Sequence, residues 1–185
     1  VMAIAVLPLL RVGGMQLFRM ESSQTAEKAL PRMAQVATAV VLIYLLFTAL
    51  LAVAYWLAGM GGFDAIAHAM TTIATGGFST SDGSFGAFDS ALIDAIAVAG
   101  MVAGSLPFML YLKTSQGDLK ALAADSQVQW FLAIAGVVVV VAAAWLWLEN
   151  GLQPLQALRY ASFNVVSILT GTGYASTDYG AWGSF

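Results

Sequence analysis

The chain has 185 residues, 60% hydrophobic and only 9% charged, with a mean hydropathy of +0.83 and a formal net charge of −3. A soluble domain carries about 25% charged residues, so composition argues against an aqueous globule and for a bilayer protein. Seven Lys and Arg leave no basic face for nucleic acid, and the absence of cysteine excludes disulfides and thiolate metal sites.

The chain opens in an apolar run, "VMAIAVLPLL", with no preceding basic segment and no small-residue cleavage site. It reads as the end of a membrane helix (residues 1–14) rather than a signal peptide. The far end, "STDYGAWGSF", stops without a following apolar span, so the whole reads as an internal fragment, truncated at both ends. Residues 33–63 hold no charged side chain and are longer than the roughly 20 residues that cross a bilayer. Residues 95–112 and 126–148 are the next uncharged runs of spanning length.

Residues 65–81 and 160–177 differ in kind: each is uncharged but dissolves halfway into Gly, Thr and Ser. Non-helical backbone at membrane depth survives only where protein or a water-filled cavity surrounds it. Both are therefore expected to be re-entrant hairpins, a short helix descending and an extended limb returning. Arg11, Arg19, Lys28 and Arg32 precede the first span, and Lys113 and Lys120 lie between the second and third, which marks residues 15–32 and 113–125 as cytoplasmic loops. Only Arg159 falls on the opposite side, with Asp64, Asp82, Asp89, Glu149 and Asp178 and with Asp94 nearby. Those acids form either ordinary solvated loops or a vestibule that concentrates cations.

The order of elements repeats. A shift of 96 residues carries Ala65 onto Ala161, His68 onto Asn164, Thr71 onto Ser167, Gly77 onto Gly173, Phe78 onto Tyr174 and Asp82 onto Asp178. A dehydrated monovalent cation needs oxygen ligands in place of water, and backbone carbonyls of an extended, glycine-containing segment supply them. Thr75, Gly76, Gly77 and Phe78, with Gly171, Thr172, Gly173 and Tyr174, are the candidate ligands for potassium, mainly through backbone carbonyls. Nearby hydroxyls can tie each loop to its neighbours, and the preceding helix aims its negative C-terminal end at the ion. The bland alternative is a C-cap glycine and a surface turn, which two copies in matching positions disfavour.

The stretches "LPLLRVGGMQLFRME", "FDAIAHAMTTIATGGFSTSDGSFGAFDS" and "FNVVSILTGTGYASTDYGAW" resemble the Trk/Ktr/HKT superfamily of potassium transporters, most closely its TrkH-type membrane subunits. The resemblance covers almost the whole chain. It implies an all-α integral membrane fold of repeated helix–pore hairpin–helix units, similar in plan to potassium channels. Residues 1–14 would end one unit, 33–112 would form the next, and 126–185 would begin a third. It further implies potassium as the transported ion, no organic cofactor, and a multi-pass chain in the cytoplasmic membrane with its filter loops facing outward. A homodimer of full-length chains and a cytosolic nucleotide-binding regulatory subunit are implied by the resemblance alone. One key glycine per unit maps onto Gly77 and Gly173, and fewer carbonyl rings than in a two-glycine channel filter imply weaker selectivity. The second loop departs from the family pattern: Gly171 stands where Thr is usual, which should make that loop more flexible, and Tyr174 stands where Phe is frequent.

His68, the only histidine, is expected to pair with backbone or a neighbouring helix, because its repeat counterpart is Asn164. An intramembrane enzyme built on His68 and an Asp lacks a nucleophile at useful spacing, and a non-conducting membrane scaffold is the remaining alternative. Gly100 and Gly104 form a GxxxG expected to pack within the bundle. Pro107 is expected to kink its helix, and Asp94 suits the positive end of a helix N-terminus.

Overall fold

A computed structural model describes residues 26–118 and 120–182, and among them every regular element is helical. In chain order these are α1 (Ala26–Leu57), α2 (Gly62–Ile73), a 3₁₀ turn (Ser84–Ala87), α3 (Ala91–Ser105), α4 (Phe108–Ser115), α5 (Ala121–Ala124), α6 (Ser126–Leu148), α7 (Pro154–Leu169) and a second 3₁₀ turn (Tyr179–Trp182). The helix end expected over residues 1–14, with Arg11, and the loop position of Arg19 lie outside the described residues. Packing divides the chain into two units at Leu45. The first contributes the N-terminal part of α1, which already begins at Ala26, so residues 26–32 are helical where a basic loop was expected. The second unit, from Leu46 onward, holds all the other elements.

Two helical stretches, Ala34–Leu57 and Ser126–Leu148, are long and apolar enough to cross a membrane. Large apolar side chains such as Leu50 and Val53 on α1, and Val137, Val140 and Val141 on α6, are exposed. Apolar surface of this extent is stable against lipid tails, not water.

The run over residues 95–112, expected as one kinked span, is two helices. α3 and α4 meet at 89°. Pro107 has no N–H to close a helical bond on the Ala103 carbonyl, so the helix stops. The Tyr111 hydroxyl takes over that carbonyl at 2.8 Å. Residues 113–125, expected as a loop, contain the end of α4 and the short α5. Asp125 then caps α6, its carboxylate accepting from the backbone N–H groups of Gln127 and Val128 at 2.9 and 3.1 Å.

Packing in the second unit rests on small residues. A Cβ at Gly100 would meet Leu51 and Thr72 side-chain carbons at 2.8 Å, and one at Gly104 would meet the Ile73 carbonyl oxygen at 2.6 Å. The GxxxG thus seats α3 against α1 and the end of α2, inside the bundle as expected. α6 and α7 close on a core of Ala142, Leu146, Ala157, Ala161 and Val165. Arg159 on α7 donates to Asp94 on α3 at 2.7 Å and to Asp89 at 3.3 Å, joining the two repeats.

Candidate functional site

The two glycine segments come after α2 and α7 and carry one hydrogen-bond pattern at the 96-residue offset. In the first, the backbone N–H groups of Ala74, Thr75 and Gly76 donate to the carbonyls of Met70, Thr72 and Thr71 at 3.1, 3.0 and 2.7 Å. In the second, Thr170, Gly171 and Thr172 donate to Val166, Ile168 and Ser167 at 2.9, 3.0 and 2.9 Å. Each set is a Schellman-type helix end, which places the residue after the cap in the left-handed region. That residue is Thr75 in one loop (φ 49°) and Gly171 in the other (φ 72°). Gly171 therefore supplies a conformation that Thr75 adopts under strain, a local reason for glycine that differs from the flexibility expected of it.

Two residues on, the backbone turns left-handed again, at Gly77 (φ 70°) and Gly173 (φ 85°). A Cβ on Gly77 would collide with the carbonyl oxygen of Thr172. The two loops therefore touch, and the Thr172 carbonyl lies against Gly77. The bland alternative is half right: each helix does end in a standard cap. The backbone beyond the cap is packed in part: Thr172 and Tyr174 are buried and Gly77 lies against the other loop, while Gly76, Phe78, Gly171 and Gly173 are exposed.

Side chains on the two helices hold the returning limbs in matching ways. The Thr71 hydroxyl lies 2.9 Å from the Phe78 carbonyl, and the Ser167 hydroxyl 2.8 Å from the Tyr174 carbonyl. His68 Nδ1 donates to the Asp64 carbonyl at 2.8 Å, while Nε2 pairs with the Ser79 hydroxyl at 3.0 Å. Asn164 Nδ2 donates to the Tyr160 carbonyl at 2.9 Å and to the Ser176 hydroxyl at 3.0 Å. The hydrogen bond expected to be common to His68 and Asn164 is thus present: each ties back one helical turn and forward to a serine on its limb. His68 is fully buried, and its ring lies edge-on to Phe85 and Phe88.

Phe85 escaped sequence reasoning. It is fully buried in the 3₁₀ turn after the first loop, with Tyr174 at 4.5 Å, His68 at 5.0 Å and Phe163 at 5.2 Å between ring centroids. Its neighbours Ser84 and Gly86 bond the backbone of Ala175 from the second limb at 3.2 Å each. No counterpart of Phe85 stands 96 residues on, where Ala181 lies, so the repeat carried no signal for it. The Arg159–Asp94 contact was equally hidden, since charge alone does not show which acid an arginine meets. Among the described residues no group of His, Asp or Glu side chains is arranged to hold a metal ion.

The sequence pattern of the TrkH family, described as cation transport proteins, matches residues 1–185. The chain belongs to the TrkH family. It is 45% identical over 185 residues to the Trk system potassium uptake protein TrkI of Halomonas elongata, covering 100% of this chain and 37% of that protein. It is 38% identical over 189 residues to TrkH of Escherichia coli, covering 100% of this chain and 39% of the relative. A crystal structure of the potassium transporter TrkH from Vibrio parahaemolyticus superposes with a TM-score of 0.78 at 36% identity, covering 95% of this chain and 36% of that one. The chain thus spans well under half the length of these TrkH-family relatives. Membership of a cation-transport family, with its apolar, lipid-suited helices, makes this a membrane protein and not an enzyme.

Proposed function

We propose that the chain is part of a potassium-uptake protein and that its two loops contribute carbonyl oxygens to the ion path. The observation that carries this reading is the matched pair of loops in contact, Gly77 against the carbonyl of Thr172. Left-handed residues at 75 and 77, and at 171 and 173, are separated by Gly76 and Thr172, which do not have positive φ. Such alternation turns successive peptide planes in one sense, which can bring their oxygens to one side for a cation that has shed its water. The carbonyls of Phe78 and Tyr174 lie 2.9 and 2.8 Å from the Thr71 and Ser167 hydroxyls, so this reading favours the carbonyls of Thr75 to Gly77 and Gly171 to Gly173 as the ion's ligands. In this reading residues 33–112 form one repeat unit, residues 126–185 begin the next, and the loops open to the outside of the cytoplasmic membrane.

Replacing Gly77 or Gly173 by Ser in the intact protein, in cells lacking other potassium uptake, is expected to change the ratio of potassium to sodium uptake. Unchanged ratio and rate in both variants, at normal membrane abundance, would overturn the assignment of these loops to the ion path.

A further inference from the structure

The aromatic residues after the two key glycines are placed in opposite ways. Phe78 is 77% exposed, whereas Tyr174 is 1% exposed and reaches from the second loop onto α2 of the first repeat. Its hydroxyl lies 2.5 Å from the Thr71 hydroxyl, 3.3 Å from that of Thr72 and 3.4 Å from the His68 carbonyl. Thr72 in turn meets the Tyr55 hydroxyl at 3.0 Å. A hydroxyl has one proton to give. When Tyr174 donates to Thr71, the threonine proton is free for a carbonyl, and the Phe78 carbonyl lies 2.9 Å away, with those of Ala67 and His68 at 3.0 and 3.3 Å.

We infer that the Tyr174 hydroxyl is a specificity-determining clamp that holds the first loop through Thr71. The clamp rests on the proposed filter role of the two loops. The chain of contacts runs from Tyr174 to Thr71 to the carbonyl that closes the first loop, one residue beyond Gly77. The second loop thereby grips the first at two points: Thr172 against Gly77, and Tyr174 on Thr71. Phe78 has no hydroxyl to return the contact. Ion discrimination depends on how firmly the carbonyls resist closing on a smaller cation or opening for a larger one, and a part-buried hydrogen bond from the second loop to α2, beneath the first, adds that resistance. The hydroxyl is separable from the ring, whose contact with Phe85 at 4.5 Å survives in phenylalanine.

The test measures potassium and sodium uptake, with membrane abundance, for the intact protein in cells lacking other potassium uptake. Tyr174→Phe is expected to lower the potassium-to-sodium ratio by about three- to tenfold, the worth of one hydrogen bond, at unchanged abundance. Thr71→Val is expected to lower it at least as much, with Thr71→Ser retaining what valine loses. The double variant Tyr174→Phe with Thr71→Val should match Thr71→Val alone, because the two act in series. If Gly77→Ser and Gly173→Ser shift the ratio but Tyr174→Phe does not, or lowers only rate and abundance, the clamp is overturned and the filter stands. Additive effects of the two variants would also overturn it. If the glycine variants leave the ratio unchanged, the filter reading itself fails.

Discussion

At Gly77 two costs meet on any larger residue. The left-handed conformation costs an L-residue about 1–2 kcal/mol, and a Cβ there also runs into the Thr172 carbonyl. Gly171 and Gly173 share the conformation, but a Cβ on either meets nothing within 4 Å among the described residues. Gly171→Ala and Gly173→Ala are therefore each expected to cost about 1–2 kcal/mol, and Gly77→Ala distinctly more. Thermal unfolding of the purified protein in detergent gives the order, and a Gly77→Ala variant no worse than the other two would contradict it. Residue pairing by the repeat foresaw the equivalence of Gly77 with Gly173 and of His68 with Asn164. It did not foresee the role of Gly171, because a Schellman cap is recognised by φ and by which carbonyl an N–H reaches, and "TGGF" and "GTGY" hide the same backbone under different letters.

Among the polar contacts that join elements, those of Arg159 involve a buried charge, so their loss is costly. The Arg159 side chain links α7 to Asp94 on α3, whose own side chain is 3% exposed. Removing the arginine leaves a carboxylate buried without its cation, an effect on the order of 3–5 kcal/mol when a buried pair is broken. Arg159→Met is expected to approach that loss, read as a lower unfolding midpoint. Asp94→Asn should cost less, since Arg159 keeps Asp89 at 3.3 Å. Equal losses in the two variants would show that the pair does not hold the helices together. The same acids bear on the vestibule idea: Asp94 and Asp89 are engaged by Arg159, and Asp64 accepts from the Thr80 hydroxyl at 2.7 Å. Helix bounds were legible for α6, which coincides with the uncharged run 126–148, but not for α1, which runs Ala26–Leu57 against the uncharged run 33–63. They were not legible across Pro107, where a change of direction to 89° leaves hydropathy untouched.

For the molecule in its membrane, the distribution of Lys and Arg predicts that residues near Lys120 face the cytoplasm and those near Asp82 the outside. These 185 residues hold no cysteine, so a thiol introduced among them is unique within the segment and can be labelled against the unsubstituted protein as the control. Asp82→Cys is expected to react with a membrane-impermeant maleimide in intact cells, and Lys120→Cys only after permeabilisation. The reverse pattern would invert the proposed topology.

The sequence by itself determined the membrane class and two helices of spanning length, and it paired the two glycine segments, because hydropathy, charge placement and a 96-residue repeat are properties of residues in order. It also reached the shared role of His68 and Asn164, since a bond one turn back along the same helix is local. Only the tertiary structure decided that the loops meet, that Phe85 fills the space between the repeats, that Arg159 pairs with Asp94, and that Tyr174 is buried while Phe78 is exposed. Those contacts join residues about 65 to 105 positions apart. They depend on how helices pack, for which no periodicity within a single segment carries a signal.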